Sequence, residues 1–247
     1  MGSSAALAIA LVGGLVALSR PSRLELRKEE VFTLASLAYE TFEPHGSRAD
    51  LAAAAFGGLL AYEKPDIGSA HGRGGLHDIV TKSWPKLSIY SLPVPGLRLI
   101  VGWVGEPAST RTLVRDVLKW AKREPDAFQQ FLTRSLEATH LFIEGCLTCE
   151  TSRVLNATRA SRSGLGLINT GSGTDIETPR ARDAIDIAES LGGAGKVSGA
   201  GGGDLVMAWV ENDRQESLVT REWAKLGVVR PVVHWPGQGL VISEQRV

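Results

Sequence analysis

Ala5 to Leu18 is almost entirely apolar. The run is shorter than the roughly 20 apolar residues a membrane-crossing helix needs, and it contains Gly13-Gly14. Only Met1 to Ser4 precede it, without the positive charge of a secretory leader. Apolar on every side, it predicts a helix buried within a core. Lys28 to Phe42 predicts an amphipathic helix with Val31, Leu34, Ala35, Ala38 and Phe42 on one face. Pro44-His45-Gly46 breaks it, and Ser47 begins another helix through Ala55 that Gly57-Gly58 ends. Leu59 to Tyr62 reads as a strand. Residues 64–78, rich in Gly, His and charge, read as a loop. Leu87 to Leu92 and Leu97 to Val104 are strand-like, joined by the turn Pro93-Val94-Pro95-Gly96.

Beyond Ser109 the period changes to that of helices. They are expected over Thr110 to Ala121, Asp126 to Leu147 and Glu150 to Ile168. Thr178-Pro179 starts a further helix, with Pro at the first helical position, and Gly192 stops it. Ala181, Ala184, Ile185 and Ala188 are its buried stripe. Leu205 to Val210 is a strand. Asp213 is expected to cap a helix ending at Gly227, with Glu216 in the reciprocal position. Val228 to Trp235 and Gly239 to Ile242 are expected to finish the chain as strands. Strands and helices mix along the whole length, so the class is α+β. The domain boundary is placed near Glu106-Pro107, giving domains of 1–106 and 107–247.

Composition narrows the function classes. The 247 residues suffice for one large domain or two small ones. Lys+Arg and Asp+Glu each total 27, so no basic excess points to nucleic acid or an anionic membrane. Two cysteines exclude a disulfide framework and fit a reducing compartment. The pair Cys146-Leu147-Thr148-Cys149 has no second pair to complete a zinc site, so ordinary helix packing is expected. His45, His71, His77 and His234 show no ligand spacing.

Four segments are candidates for phosphate chemistry. At the start, Gly2-Ser3-Ser4 leads into the first helix, offering free N–H groups, a positive dipole end and two hydroxyls; a simple cap is the alternative. In Lys196-Val197-Ser198-Gly199-Ala200-Gly201-Gly202-Gly203-Asp204, four glycines and an alanine fill five positions. Such a backbone can approach an anion closely and turn several N–H groups toward it. It is not a P-loop, because Val197 follows Gly195-Lys196 and Ser190 stands at the leading Gly position. It is not the dinucleotide fingerprint either, because Asp204 holds the last glycine position. A plain hairpin turn is the alternative. Ser47 and Asp50, three apart on a predicted helix, share a face, as a capping pair or a site. Trp103 to Thr110 leaves a strand and enters a helix through Ser109-Thr110, again exposing N–H groups and hydroxyls.

Together these segments resemble the kinase superfamily named for galactokinase, homoserine kinase, mevalonate kinase and phosphomevalonate kinase. Gly2-Ser3-Ser4-Ala5-Ala6 resembles its second motif, and Ser198 to Asp204 its third. Gly46-Ser47-Arg48-Ala49-Asp50 with Phe56-Gly57-Gly58, and Val101-Gly102-Trp103 with Pro107-Ala108-Ser109-Thr110, resemble the phosphomevalonate kinase branch most. The resemblance runs from Gly2 to about Trp235. It implies the two-domain fold of these kinases, a ribosomal-protein-S5-like N-terminal part joined to a ferredoxin-like α+β C-terminal domain. The family pattern also places first strands and an early lysine before its second motif, and here Met1 stands where that motif's Leu is expected. An N-terminally truncated member is therefore implied.

The activity implied is ATP-dependent phosphorylation of 5-phosphomevalonate to 5-diphosphomevalonate, with Mg²⁺. The resemblance assigns Ser4 to Mg²⁺ or the β-phosphate, with Gly2 and Ser3 in the phosphate loop. It assigns Ser198, Gly199, Ala200, Gly201 and Gly202 to the phosphates, closed by Asp204. Asp50 would stand at the reacting centre, and Ser47, Ser109 and Thr110 at the substrate. Two anionic substrates need cations, for which Lys196, Arg48 and Arg111 are the candidates; each is alternatively a solvated surface charge. Such an enzyme is expected in the cytoplasm, as a monomer or homodimer acting on a small molecule, without nucleic-acid or membrane partners. A kinase of this fold for mevalonate or a sugar, and a non-catalytic remnant, are the alternatives.

Overall fold

The structure, a computed structural model, describes residues 2–19, 27–41, 46–66, 80, 84–105, 110–199 and 201–241. The chain forms two compact units. One runs through Leu92 and takes in the chain again from Trp235; the other is Pro93–His234.

In the first unit, α1 (Ser3–Ser19), α2 (Lys28–Glu40) and α3 (Ala49–Phe56) pack beside an antiparallel pair, β1 (Leu59–Glu63) and β2 (Ser88–Leu92). Ala5 and Ile9 of α1 meet Val31, Phe32 and Ala35 of α2 and Leu51, Ala52 and Ala55 of α3 in one cluster. Alanines at these crossings let the helix axes approach closely. Phe32 anchors the cluster, its ring centroid 6.1 Å from Phe56 and 6.4 Å from Tyr62. The expectation for α1 is corrected here. Only its Ala5, Ile9 and Gly13 stripe is buried, whereas Leu7, Leu11, Leu15 and Leu18 are 58–86% exposed among the described residues. A uniformly apolar helix carries no polar mark to say which face goes inward, and α2 and α3 cover one side.

The returning C-terminal segment crosses the end of α3. Leu240 N–H donates to Ala55 O (3.0 Å), and Gly58 N–H donates to Gly237 O (2.8 Å). The crossing is tight enough that a Cβ on Gly57 would stand 2.3 Å from Gly239 N. Lys28 Nζ fastens both segments, donating to Gln238 O (3.1 Å) and Phe56 O (3.4 Å).

The second unit is a three-stranded antiparallel sheet, order β3-β5-β4, of β3 (Arg98–Trp103), β5 (Leu205–Val210) and β4 (Ala194–Val197). Its helices are α4 (Thr110–Arg123), α5 (Pro125–Leu147), α6 (Thr151–Ser172), α7 (Pro179–Ser190) and α8 (Asp213–Lys225). Ile100, Ala208 and Gly195 lie in register across the sheet, as do Gly102, Val206 and Val197. Gly102 makes room for α8, because a Cβ there would stand 2.7 Å from Trp223. Trp223 Nε1–H in turn donates to Ala184 O of α7 (2.7 Å). The predicted stripe of α7, Ala181, Ala184, Ile185 and Ala188, is buried throughout. Trp209 of β5 meets Phe142 of α5, ring centroids 6.2 Å apart.

Three further expectations are corrected. Val228 to Trp235 and Gly239 to Val241 are not strands; Val229 makes one isolated bridge to Trp103. Pro231 and Pro236 lack the N–H a ladder needs, and Val232 and Val233 are exposed. Ile242 lies outside the described residues. The cap of α8 is Asn212, one residue earlier than expected: Gln215 N–H donates to Asn212 Oδ1 (3.0 Å), and Glu211 N–H donates to Gln215 Oε1 (2.7 Å). Glu216 instead pairs with Arg230 (3.0 Å). Finally, Lys196 and Val197 belong to β4, a four-residue strand too short to show alternation. Cys146 is buried in α5, and Cys149 lies exposed past its end; both are free thiols.

Candidate functional site

The first unit gathers one set of the expected residues. Gly2 precedes α1 at φ +43°, and a Cβ built on it would lie 3.4 Å from Asp50 Cβ, so the start of α1 abuts the start of α3. Ser3 and Ser4 are exposed in the first turn of α1, and Ser4 Oγ is 3.0 Å from Tyr39 Oη. Asp50 is exposed in the first turn of α3, where Asp50 Oδ1 accepts from Leu51 N–H (3.0 Å). Ser47 Oγ accepts from Ala49 N–H (3.3 Å).

Arg48 is placed differently from a substrate contact. It caps α3 in the left-handed region, φ +63°, and is 1% exposed. Its guanidinium forms an ion pair with Glu40 of α2, and Nη1–H donates to Gly46 O (3.0 Å). Burial lowers its pKa, partly offset by Tyr62. From the other side, Tyr62 O–H donates to Ser47 O (2.6 Å). Burial pushes the Tyr62 phenol up to about 12, against the nearby Arg48 charge and with that of Asp50. Glu40, Arg48 and Tyr62 thus hold the 46–48 turn from both sides and present Asp50 and Ser47 outward. Tyr62 and Glu40 carry no sequence signal for this, because the contacts come from other elements.

The second unit holds the glycine-rich segment as the connection between β4 and β5. Ser198 N–H donates to Leu205 O (2.8 Å) and closes it, and Gly202 N–H donates to Ile176 O (2.7 Å). Val104 N–H donates to Asp204 O (3.0 Å), tying the far end to β3. Gly199, Gly201, Gly202 and Gly203 all have φ between +65° and +94°, which explains four glycines by backbone shape. Their surroundings differ. A Cβ on Gly201 would lie 2.5 Å from Ile176, whereas one on Gly199 would meet open space. Gly199 therefore has open space beside its backbone where Gly201 has none. Lys196 Nζ donates to Val197 O (2.9 Å), and burial lowers its pKa. Ala200, Ser109 and the side chains of Thr110 and Arg111 lie outside the described residues, as do His45, His71 and His77.

Residues 154–229 match the family described as GHMP kinases C terminal. Residues 154–229 thus carry a GHMP kinase C-terminal domain, and the chain is similar to GHMP kinases over nearly its whole length. Phosphomevalonate kinase from Streptomyces sp. is 35% identical over 235 residues, 93% of this chain and 62% of that protein. A structure of a Listeria innocua protein superposes with TM-score 0.89 at 31% identity, covering 94% of this chain and 65% of the other. Streptococcus pneumoniae phosphomevalonate kinase, solved in complex with phosphomevalonate and AMPPNP, superposes with TM-score 0.80 at 25% identity, covering 92% of this chain and 66% of that one. The chain thus has a GHMP-kinase α+β fold and spans just under two thirds of each of these relatives. No described helix is long and apolar enough to cross a membrane.

Proposed function

We propose that this chain acts in ATP-dependent phosphorylation of 5-phosphomevalonate to 5-diphosphomevalonate. The similarity to the Streptomyces enzyme carries this reading, because a match over 93% of the chain takes in both the Ser47–Asp50 turn and the glycine-rich 198–204 segment.

The donor set suits ATP and Mg²⁺. The exposed Ser4 hydroxyl and Asp50 carboxylate are hard oxygen donors at adjoining helix starts. Mg²⁺ is commonly held by one or two such groups together with substrate phosphates. Bound Mg²⁺ would neutralise charge developing on the transferred phosphoryl group. In the first unit, Gly2, Ser3 and Ser4 offer N–H groups and hydroxyls to phosphate, and Ser47 offers a hydroxyl to substrate. In the second, Gly199 presents open backbone, with Ala200, Gly201 and Gly202 shaping the turn. Ser198 offers a hydroxyl, and Asp204 ties the hairpin to β3. Lys196 is the candidate cation where β4 enters the hairpin, its Nζ donating to Val197 O. Ser109 and Thr110 remain substrate-side assignments.

The nucleophile in this reaction is a phosphate oxygen. A phosphomonoester loses its second proton near a pKa of about 6, so it is mostly ionised at neutral pH. Asp50 therefore has no proton to abstract, and its exposed carboxylate serves to orient cations in a reaction governed by positioning and charge. We assign the enzyme to the cytoplasm. The test is ADP release with 5-phosphomevalonate, mevalonate and galactose offered separately. Turnover confined to the first is expected; none with it overturns the proposal.

A further inference from the structure

We infer that Tyr39 is a positioning residue for Ser4, an inference that rests on the kinase reading above. Tyr39 stands in the last turn of α2, and its ring packs against the first unit's core cluster. Its hydroxyl emerges beside α1, 3.0 Å from Ser4 Oγ, across 35 residues of sequence. A serine hydroxyl exposed on a helix's first turn rotates among three staggered wells. A partner on a second, packed helix selects one of them. The pair also sets what is offered outward. Two hydroxyls sharing one hydrogen bond leave one O–H and lone pairs over, whichever of them donates. The pair can therefore meet a phosphate oxygen with its remaining O–H, or a cation with a lone pair. Asp50, whose Cβ lies against Gly2, supplies the neighbouring negative charge. The phenol ring fixes its own hydroxyl because its body is anchored in the core and only its tip reaches Ser4.

Tyr39→Phe separates positioning from folding, since it keeps the ring and removes only the hydroxyl. The thermal midpoint is expected to stay near wild type, because the lost bond is exposed. The kcat/KM for ATP is expected to fall about five- to tenfold, the size of one neutral hydrogen bond expressed in the transition state. Calorimetric binding of Mg·ADP should weaken several-fold in parallel. Ser4→Ala should cost more, and adding Tyr39→Phe to it should cost nothing further, because the tyrosine acts only through Ser4. Additive losses, a Tyr39→Phe protein that matches wild type, or one that chiefly loses stability would each overturn the assignment. A wild-type protein that neither binds Mg·ADP nor turns over removes the kinase reading and this assignment with it. A wild type that does both, with Tyr39→Phe unchanged, removes the Tyr39 assignment alone.

Discussion

Arg48 looks in the sequence like a free cation two residues before a catalytic-type aspartate, and in the structure it is a buried brace. Its left-handed backbone costs on the order of 1 kcal/mol or more for a non-glycine residue, and its guanidinium offsets that by pairing with Glu40 and the Gly46 carbonyl. Arg48→Ala removes the pair but keeps the strain, leaving Glu40 only partly solvated. Glu40→Gln strands the buried guanidinium, so we expect it to lose about 3 kcal/mol in urea unfolding, in line with breaking a buried pair, and at least as much as Arg48→Ala, which leaves a partly exposed carboxylate. Tyr62 gives a second residue-level prediction. Its phenol is held near 12 against an ordinary 10, so the folded state keeps a proton that the unfolded chain releases earlier. Stability from this group is full below pH 10 and lost as the pH rises toward 12. Tyr62→Phe should flatten that limb of the stability–pH curve, and ultraviolet titration of the wild type should show one phenol ionising near 12.

At the scale of elements, the glycine-rich hairpin separates backbone shape from packing. Gly199 and Gly201 both have positive φ, at +65° and +76°. An alanine at Gly199 meets open space and pays only the conformational penalty, about 1 kcal/mol. At Gly201 it also collides with Ile176, so we expect Gly201→Ala to lower the unfolding midpoint further. The activity losses should rank independently of stability, because the open space beside the backbone is at Gly199. A larger stability cost at Gly199 would contradict the geometry. Helix α1 teaches a related lesson. Its all-apolar sequence leaves the buried face unmarked, and the small residues Ala5 and Gly13 turn inward because partners approach closest there. By contrast the stripe of α7, flanked by polar residues, is legible position by position, and so is its Thr178 cap.

For the whole molecule, the kinase reading predicts that chelating divalent metal abolishes turnover while the unfolding midpoint of the unliganded protein stays unchanged. The described residues hold no acidic, histidine or cysteine cluster on which folding would depend. A midpoint that falls on chelation would point to a structural ion instead. The fold class, most helices and the strands β1, β2, β3 and β5 were determined by the sequence alone. These features depend on local periodicity, cap and turn chemistry and glycine content, which are written along the chain. Tertiary structure decided which face of α1 is buried, that 194–197 is a strand, that Arg48 belongs to Glu40, and that Tyr39 meets Ser4. It also decided that the C-terminal segment runs as an irregular strap over α3, with Gly57 and Gly239 at the crossing. Each of these joins residues distant in sequence, and each depends on which surfaces remain to be covered once the helices have packed. Periodicity tells a segment what to become, but the partner that buries a charge or fixes a hydroxyl exists only after the chain has folded back upon itself.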